Sequence, residues 1–216
     1  MRVAVIGAGT WGKNHIKTLL EIAAVTEVAV YDPCVQTQDK LATTDSVSIL
    51  ASMEAATDYD AVVIAAPTTL HYTIGKFFIS KSIPCLIEKP LAFEVADAKA
   101  LYNLAKQYNT IVMAGHIEQF NPAFRTLKQA LLQKPSDRIL AIEVTRQGMA
   151  RKNFDTSVDV VYDLMIHDIE LVNSLVQSKL VRVSALNADV ADKLGHVVVQ
   201  LRYESGTIVK LTASRI

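Results

Sequence analysis

Apolar positions in the first half of the chain fall in short β-branched runs separated by longer stretches with helical spacing. The runs are Val3 to Ile6, Glu27 to Tyr31, Ala61 to Ala65, Cys85 to Ile87 and Thr110 to Ala114, with a weaker one near Ser46 to Ile49. Helices are expected to begin near Trp11, Leu70 and Glu94. In the last of these, Val95, Ala98, Leu101, Leu104 and Ala105 recur at helical spacing and form a stripe that packs on a sheet. Strand and helix in strict alternation predict βαβ units and a mainly parallel sheet.

Beyond His116 the pattern changes. A helix from Pro122 to Leu132, a strand from Ile139 to Thr145, a polar loop and a helix from Val160 to Val176 come first. Strands without intervening helices follow: Val181 to Val190, His196 to Tyr203 and Thr207 to Thr212, the last pair joined by a turn at Glu204-Ser205-Gly206. The expected fold class is therefore α/β, with a parallel α/β domain over residues 1–117 and an α+β domain with an open, mainly antiparallel sheet over residues 118–216. Because Ile216 falls inside what reads as a strand, the second domain is expected to be incomplete at its C-terminus.

Composition narrows the class without deciding the function. The 216 residues are 50% apolar and 20% charged, as in a soluble globular protein with an ordinary core. With 22 basic and 22 acidic residues there is no net field to gather phosphate backbones or anionic lipid, which argues against nucleic acid and membrane as partners. The longest apolar runs fall far short of the roughly 18 residues that span a bilayer. The first run leads straight into a glycine motif rather than a cleavage site, so a cytoplasmic protein is expected. Cys34 and Cys85 lack CxxC or Cys/His spacing, and neither a disulfide nor a metal site is expected.

Gly7-Ala8-Gly9-Thr10-Trp11-Gly12 matches GxGxxG, a weak signal alone. Here a strand precedes it, a helix follows, and Asp32 ends the next strand twenty positions after Gly12. Gly7 permits the tight turn, Gly9 lets the backbone approach a pyrophosphate, and Gly12 allows close helix packing, so the helix N-terminus faces the phosphates. Asp32 can accept hydrogen bonds from ribose hydroxyls and repel a 2′-phosphate. The pattern points to a Rossmann domain that binds NAD in preference to NADP.

Glu88-Lys89-Pro90 follows a later strand, at the sheet edge where open α/β folds bind ligands. Pro90 can fix the turn, with a cis bond as one way to do so, and aim Lys89. On the residues alone Lys89 is equally well an ordinary solvated lysine. On the helix from Val160, Asp163 and His167 are four apart and share a face with Glu170 and Ser174. That face is either plainly polar or chemical: a histidine can accept the proton of a hydroxyl that loses a hydride, an aspartate can orient it, and a lysine can steady the developing alkoxide.

Gly7 to His15 (GAGTWGKNH), Ala66-Pro67-Thr68-Thr69-Leu70-His71, Glu88-Lys89-Pro90 and the Asp163/His167 helix together resemble the Gfo/Idh/MocA family of sugar oxidoreductases. The resemblance implies a catalytic set of Lys89, Asp163 and His167. It implies NAD contacts from Gly7, Gly9, Thr10, Trp11, Gly12, Asp32, Pro67, Thr68, His71, Glu88 and Lys89. Two segments, Gly115 to Pro122 (GHIEQFNP) and Val158 to Asp168 (VDVVYDLMIHD), resemble a narrower branch, the UDP-N-acetylglucosamine 3-dehydrogenases, although that branch usually carries arginine where this chain has Gln119. That likeness implies substrate contacts from His116 and Asn121. Arg146 and Arg151 flank the intervening loop and are either diphosphate ligands or solvated bases.

The implied reaction is NAD-dependent oxidation of a sugar secondary hydroxyl, foremost the 3-hydroxyl of UDP-N-acetylglucosamine or a related UDP-sugar, to a ketone suited to later transamination in lipid A or surface-glycan synthesis. The alternatives are the same chemistry on another sugar or cyclitol, or an NAD-binding protein without turnover. The family also implies a homo-oligomer formed through the C-terminal sheet.

Overall fold

The computed structural model describes residues 1–37, 46–133, 139–148, 159–190 and 193–215. It divides into two compact units, Met1–Gly115 and His116–Ile216.

The first unit is a six-stranded parallel sheet in the order β3-β2-β1-β4-β5-β6, with β1 Arg2–Ile6, β2 Glu27–Tyr31, β3 Ser48–Ile49, β4 Ala61–Ile64, β5 Cys85–Ile87 and β6 Val112–Ala114. Helices α1 Thr10–Glu21, α2 Thr68–Ile79 and α3 Val95–Gln107 connect the strands, together with a 3₁₀ turn at Met53–Asp58. Alternate residues of β1 feed two separate cores. Ala4 and Ile6 pack with Ile74 and Phe78 of α2 and Leu101 of α3, while Val3 and Val5 pack with Ile16 of α1. Helices thus cover both faces, which explains why the strands read as unbroken apolar runs rather than as alternating ones. The sheet order places a reversal between β1 and β4, and α/β sheets of this kind bind ligands outside the carboxyl ends of the strands at such a point.

The second unit holds a four-stranded sheet in the order β7-β10-β9-β8, with β7 Ala141–Gln147, β8 Leu180–Val190, β9 Lys193–Tyr203 and β10 Ile208–Ser214. A 3₁₀ turn at Ile117–Phe120 precedes α4 Pro122–Leu132, and a π-helical turn at Val161–Met165 runs directly into α5 Ile166–Leu175. One sheet face is buried: Val209, Leu211 and Ala213 of β10 and Val197, Leu201 and Tyr203 of β9 pack against Val160, Met165 and Val172. The strands β8, β9 and β10 are antiparallel neighbours as expected. β10 also pairs in parallel with β7, through Ile208↔Ala141 to Ser214↔Gln147, which makes the sheet mixed. Among the described residues no helix is long and apolar enough to cross a membrane.

Candidate functional site

At the carboxyl edge of the parallel sheet the glycine turn is built from backbone. Gly7 has φ +95 and donates its N–H to Tyr31 O at 2.8 Å. A Cβ on Gly12 would lie 2.0 Å from Gly7 O, so α1 sits on the turn with no room for a side chain. Gly9 differs, since a Cβ there would meet nothing within 4 Å. It caps α1 without a side-chain hydrogen bond, and the first turn, with Thr10 and the half-exposed Trp11, carries no acidic residue. The open space over Gly9 and the uncapped helix N–H groups match what a dinucleotide pyrophosphate needs. Asp32, just past β2, is held by this same turn: Oδ2 accepts from Ala8 N at 2.7 Å and Oδ1 from Cys34 N at 2.9 Å. Its carboxylate is thus fixed by two main-chain N–H groups.

The loops after β4 and β5 are tied to each other. Pro67 caps α2, Thr68 opens it, and His71 is buried within its first turns. The His71 ring lies 2.9 Å from Pro90 O through Nδ1 and 2.9 Å from Ala66 O through Nε2. Glu88 is buried at 7% exposure; its Oε1 accepts from His15 Nε2 at 2.7 Å and its Oε2 from Lys89 N at 3.1 Å. Burial pushes the Glu88 pKa upward. The hydrogen bonds from His15 and the Lys89 N–H and the charges of His15 and Lys89 outweigh it and hold the group below the usual Glu value. Lys89 is half-buried, and the Lys89–Pro90 peptide is cis.

In the second unit the polar residues form an ion-pair network. Asp168, 1% exposed, accepts from Arg146 Nε at 2.9 Å and from Nη2 at 2.8 Å on one oxygen, with Nε also 3.1 Å from the other. Arg146 Nη1 reaches Glu118 Oε1 at 3.1 Å. Glu118 Oε2 accepts from Asn121 Nδ2 at 3.2 Å, and Asn121 Oδ1 caps α4 through Ala123 N at 3.0 Å. Burial raises the Glu118 pKa, but Asn121, Arg146 and the nearby charge of His167 bring it below the ordinary value. Gln119 Nε2 donates to Glu170 Oε2 at 2.6 Å, so the position that carries arginine in the resembled branch is occupied by an amide bound to α5.

Asp163 lies in the π-helical turn and pairs with the Arg215 guanidinium; half-buried His167 lies in α5. The wider π turn changes their angular offset from that of a regular helix. His116 Nδ1 is buried without a hydrogen-bond partner among the described residues. Arg151 lies outside the described residues. Among those described, no cluster of His, Cys, Asp or Glu could hold a metal ion.

Several of these participants escape sequence reasoning. His15, Glu118 and Asp168 stand inside the GAGTWGKNH, GHIEQFNP and VDVVYDLMIHD segments and Glu170 on the Asp163/His167 face, but their pairing is not written in those segments, and Arg215 lies in no motif. The signals available for them were membership of those segments and the adjacency of Asp168 to His167.

Comparison with known proteins fits this geometry. Residues 1–116 match the model of the Gfo/Idh/MocA oxidoreductase family, NAD-binding Rossmann fold. The whole chain is 32% identical over 219 residues to the UDP-N-acetylglucosamine 3-dehydrogenase of Acidithiobacillus ferrooxidans, covering 67% of that protein. A solved structure of that enzyme superposes with a TM-score of 0.89 at 29% identity, covering 100% of this chain and 70% of the other. The inositol 2-dehydrogenase of Rhizobium meliloti is 26% identical over 220 residues, with 99% of this chain and 66% of that protein covered. The chain thus spans about two thirds of the length of these curated relatives.

Proposed function

Because the chain belongs to the Gfo/Idh/MocA family of NAD-binding oxidoreductases, we propose that it oxidises a secondary hydroxyl of a sugar, foremost the 3-hydroxyl of UDP-N-acetylglucosamine or a related UDP-sugar, to the ketone. The observation that carries the substrate is the 32% identity along the full chain to an enzyme of that name. Identity at this level favours a common reaction more strongly than a common sugar, and the inositol dehydrogenase likeness supports a cyclitol as the second reading.

In this reading Gly7, Gly9, Gly12, Thr10 and Trp11 receive the cofactor pyrophosphate, Asp32 the adenosine ribose, and the Pro67, Thr68, His71 and Glu88-Lys89 loops its other half. Bound NAD supplies the hydride acceptor. His167 takes the hydroxyl proton as the hydride leaves, a task suited to an imidazole near neutral pH. Lys89 donates a hydrogen bond to the same oxygen and offsets its developing negative charge. Glu118, whose carboxylate feels the charge of His167, favours the imidazolium once the proton has moved, and Asp163 is assigned to orient the ring. His116, Asn121, Arg146 and Arg151 are assigned to the substrate side, with Asn121 and Arg146 acting from the network that fixes Glu118.

The test is incubation of the purified chain with NAD and a panel of UDP-sugars and inositols, following the absorbance of reduced nicotinamide. Turnover fastest with UDP-N-acetylglucosamine is the expected result. Turnover only with inositols would replace the substrate, and NAD binding without turnover on any polyol would remove the enzymatic reading.

A further inference from the structure

Lys89 is no motif residue standing alone on a loop; the turn that carries it is gripped from two sides within the first unit. On one side His71 spans the Ala66 and Pro90 carbonyls, which fixes the far end of the turn to the start of α2. On the other side Glu88 precedes Lys89 in the chain, and its two oxygens are divided. Oε2 receives the Lys89 backbone N–H at 3.1 Å, and Oε1 receives His15 Nε2 at 2.7 Å. The side chains of His15 and Glu88 are only 18% and 9% exposed, so water competes weakly for this contact. Gly115, just past the neighbouring strand, lies close to the same residue: a Cβ there would come within 3.1 Å of Glu88 Cα and Oε2.

His15 comes from α1, the helix that begins on the glycine turn. The contact therefore crosses 73 residues of sequence to join the helix at the dinucleotide turn to the backbone of the lysine. We infer that His15 is a positioning residue for Lys89: through Glu88 it fixes the lysine's backbone N–H, and hence the direction in which the side chain leaves the turn. The inference rests on the reading of Lys89 as the group that meets the substrate oxygen, and it adds a residue to which no role has been given. A buried carboxylate that loses its imidazole partner must find another donor or rotate. Either response moves the N–H it holds. A displacement of this kind, even by about 1 Å, costs on the order of a hundredfold in rate when it misaligns a reacting group.

The experiment uses the full chain with reductively ¹³C-methylated lysines. The resonance missing from Lys89→Met identifies Lys89. In His15→Leu this resonance is expected to move toward those of the solvated lysines, and in His15→Gln, which retains an N–H donor, to move much less. Glu88→Gln provides a second route to the same displacement should His15→Leu fold poorly. In parallel, kcat is expected to fall about tenfold to a hundredfold in His15→Leu but not to fall further when the change is made in the Lys89→Met background. NAD affinity, read from quenching of Trp11, the single tryptophan, is expected to change little. An unmoved Lys89 resonance in both His15→Leu and Glu88→Gln overturns the inference. So does a loss of rate that adds fully to that of Lys89→Met. If the resonance moves but Lys89→Met turns over normally, the positioning contact stands and the catalytic reading of Lys89 falls.

Discussion

The two units hold their polar residues by opposite means. In the first, the glycine turn and the Asp32 carboxylate it binds are held largely by main-chain atoms, with approaches so close that a Cβ on Gly12 would sit 2.0 Å from a carbonyl oxygen. In the second, the surroundings of His167 are held by side chains reaching one another, in the series Asp168, Arg146, Glu118 and Asn121. A main-chain cradle follows from the path of the fold and tolerates almost no added atom. A side-chain network depends on the identity of each member, and it can be weakened by degrees.

The sharpest way to test this contrast is a pair of identical substitutions. Gly12→Ala forces Cβ into Gly7 O and should destabilise the first unit by about 4 kcal/mol or more, lowering the melting temperature and abolishing NAD binding together. Gly9→Ala meets nothing within 4 Å, so the melting temperature should hold while calorimetry shows NAD bound about tenfold more weakly or worse. Equal loss of stability in both variants would refute the description of the cradle. Next in size is His167→Asn, expected to lower turnover by something like 10²-fold with NAD affinity unchanged.

Arg146→Met tests the network itself. It leaves Asp168 buried without its principal partner, which for a fully enclosed pair costs about 3–5 kcal/mol. With the Arg146 side chain 29% exposed the loss should be nearer to roughly 2 kcal/mol, measured by urea unfolding. A smaller effect is expected from acid. Glu88 and Glu118 both have pKa values lowered in the folded state, so their contribution to stability is complete above the ordinary Glu value and is lost as pH falls through the lower folded value. Glu88→Gln should accordingly flatten the decline in melting temperature below about pH 4.5 relative to the parent. An unchanged slope would show that Glu88 does not carry this linkage.

What the chain declared in advance follows the range of the forces involved. The parallel sheet was legible because strands covered on both faces leave local apolar runs, and GxGxxG with Asp32 because the turn and the next strand lie close in sequence. The pairing of His15 with Glu88 joins residues 73 apart, and that of Arg146 with Asp168 joins residues 22 apart on different elements; neither leaves a periodic trace. The parallel pairing of β10 with β7 escaped for the same reason, since β7 and β10 are separated by a helix and two strands. The π-helical turn at Val161–Met165 reads as ordinary helix because its apolar residues keep nearly helical spacing.

Asp32 brings the consequence of the main-chain cradle to cofactor choice. The same carboxylate that would exclude a 2′-phosphate also anchors Ala8 of the glycine turn and Cys34 beyond it. Asp32→Ala should narrow the discrimination against NADP by roughly fivefold, a contact worth ~1 kcal/mol, as two calorimetric titrations would show. It should also slacken the turn on which either dinucleotide rests. A lineage or an engineer seeking to exchange one coenzyme for the other therefore cannot simply erase the charge. A replacement acceptor for the Ala8 and Cys34 N–H groups has to arrive with it, so the route to a new coenzyme runs through paired changes rather than single ones.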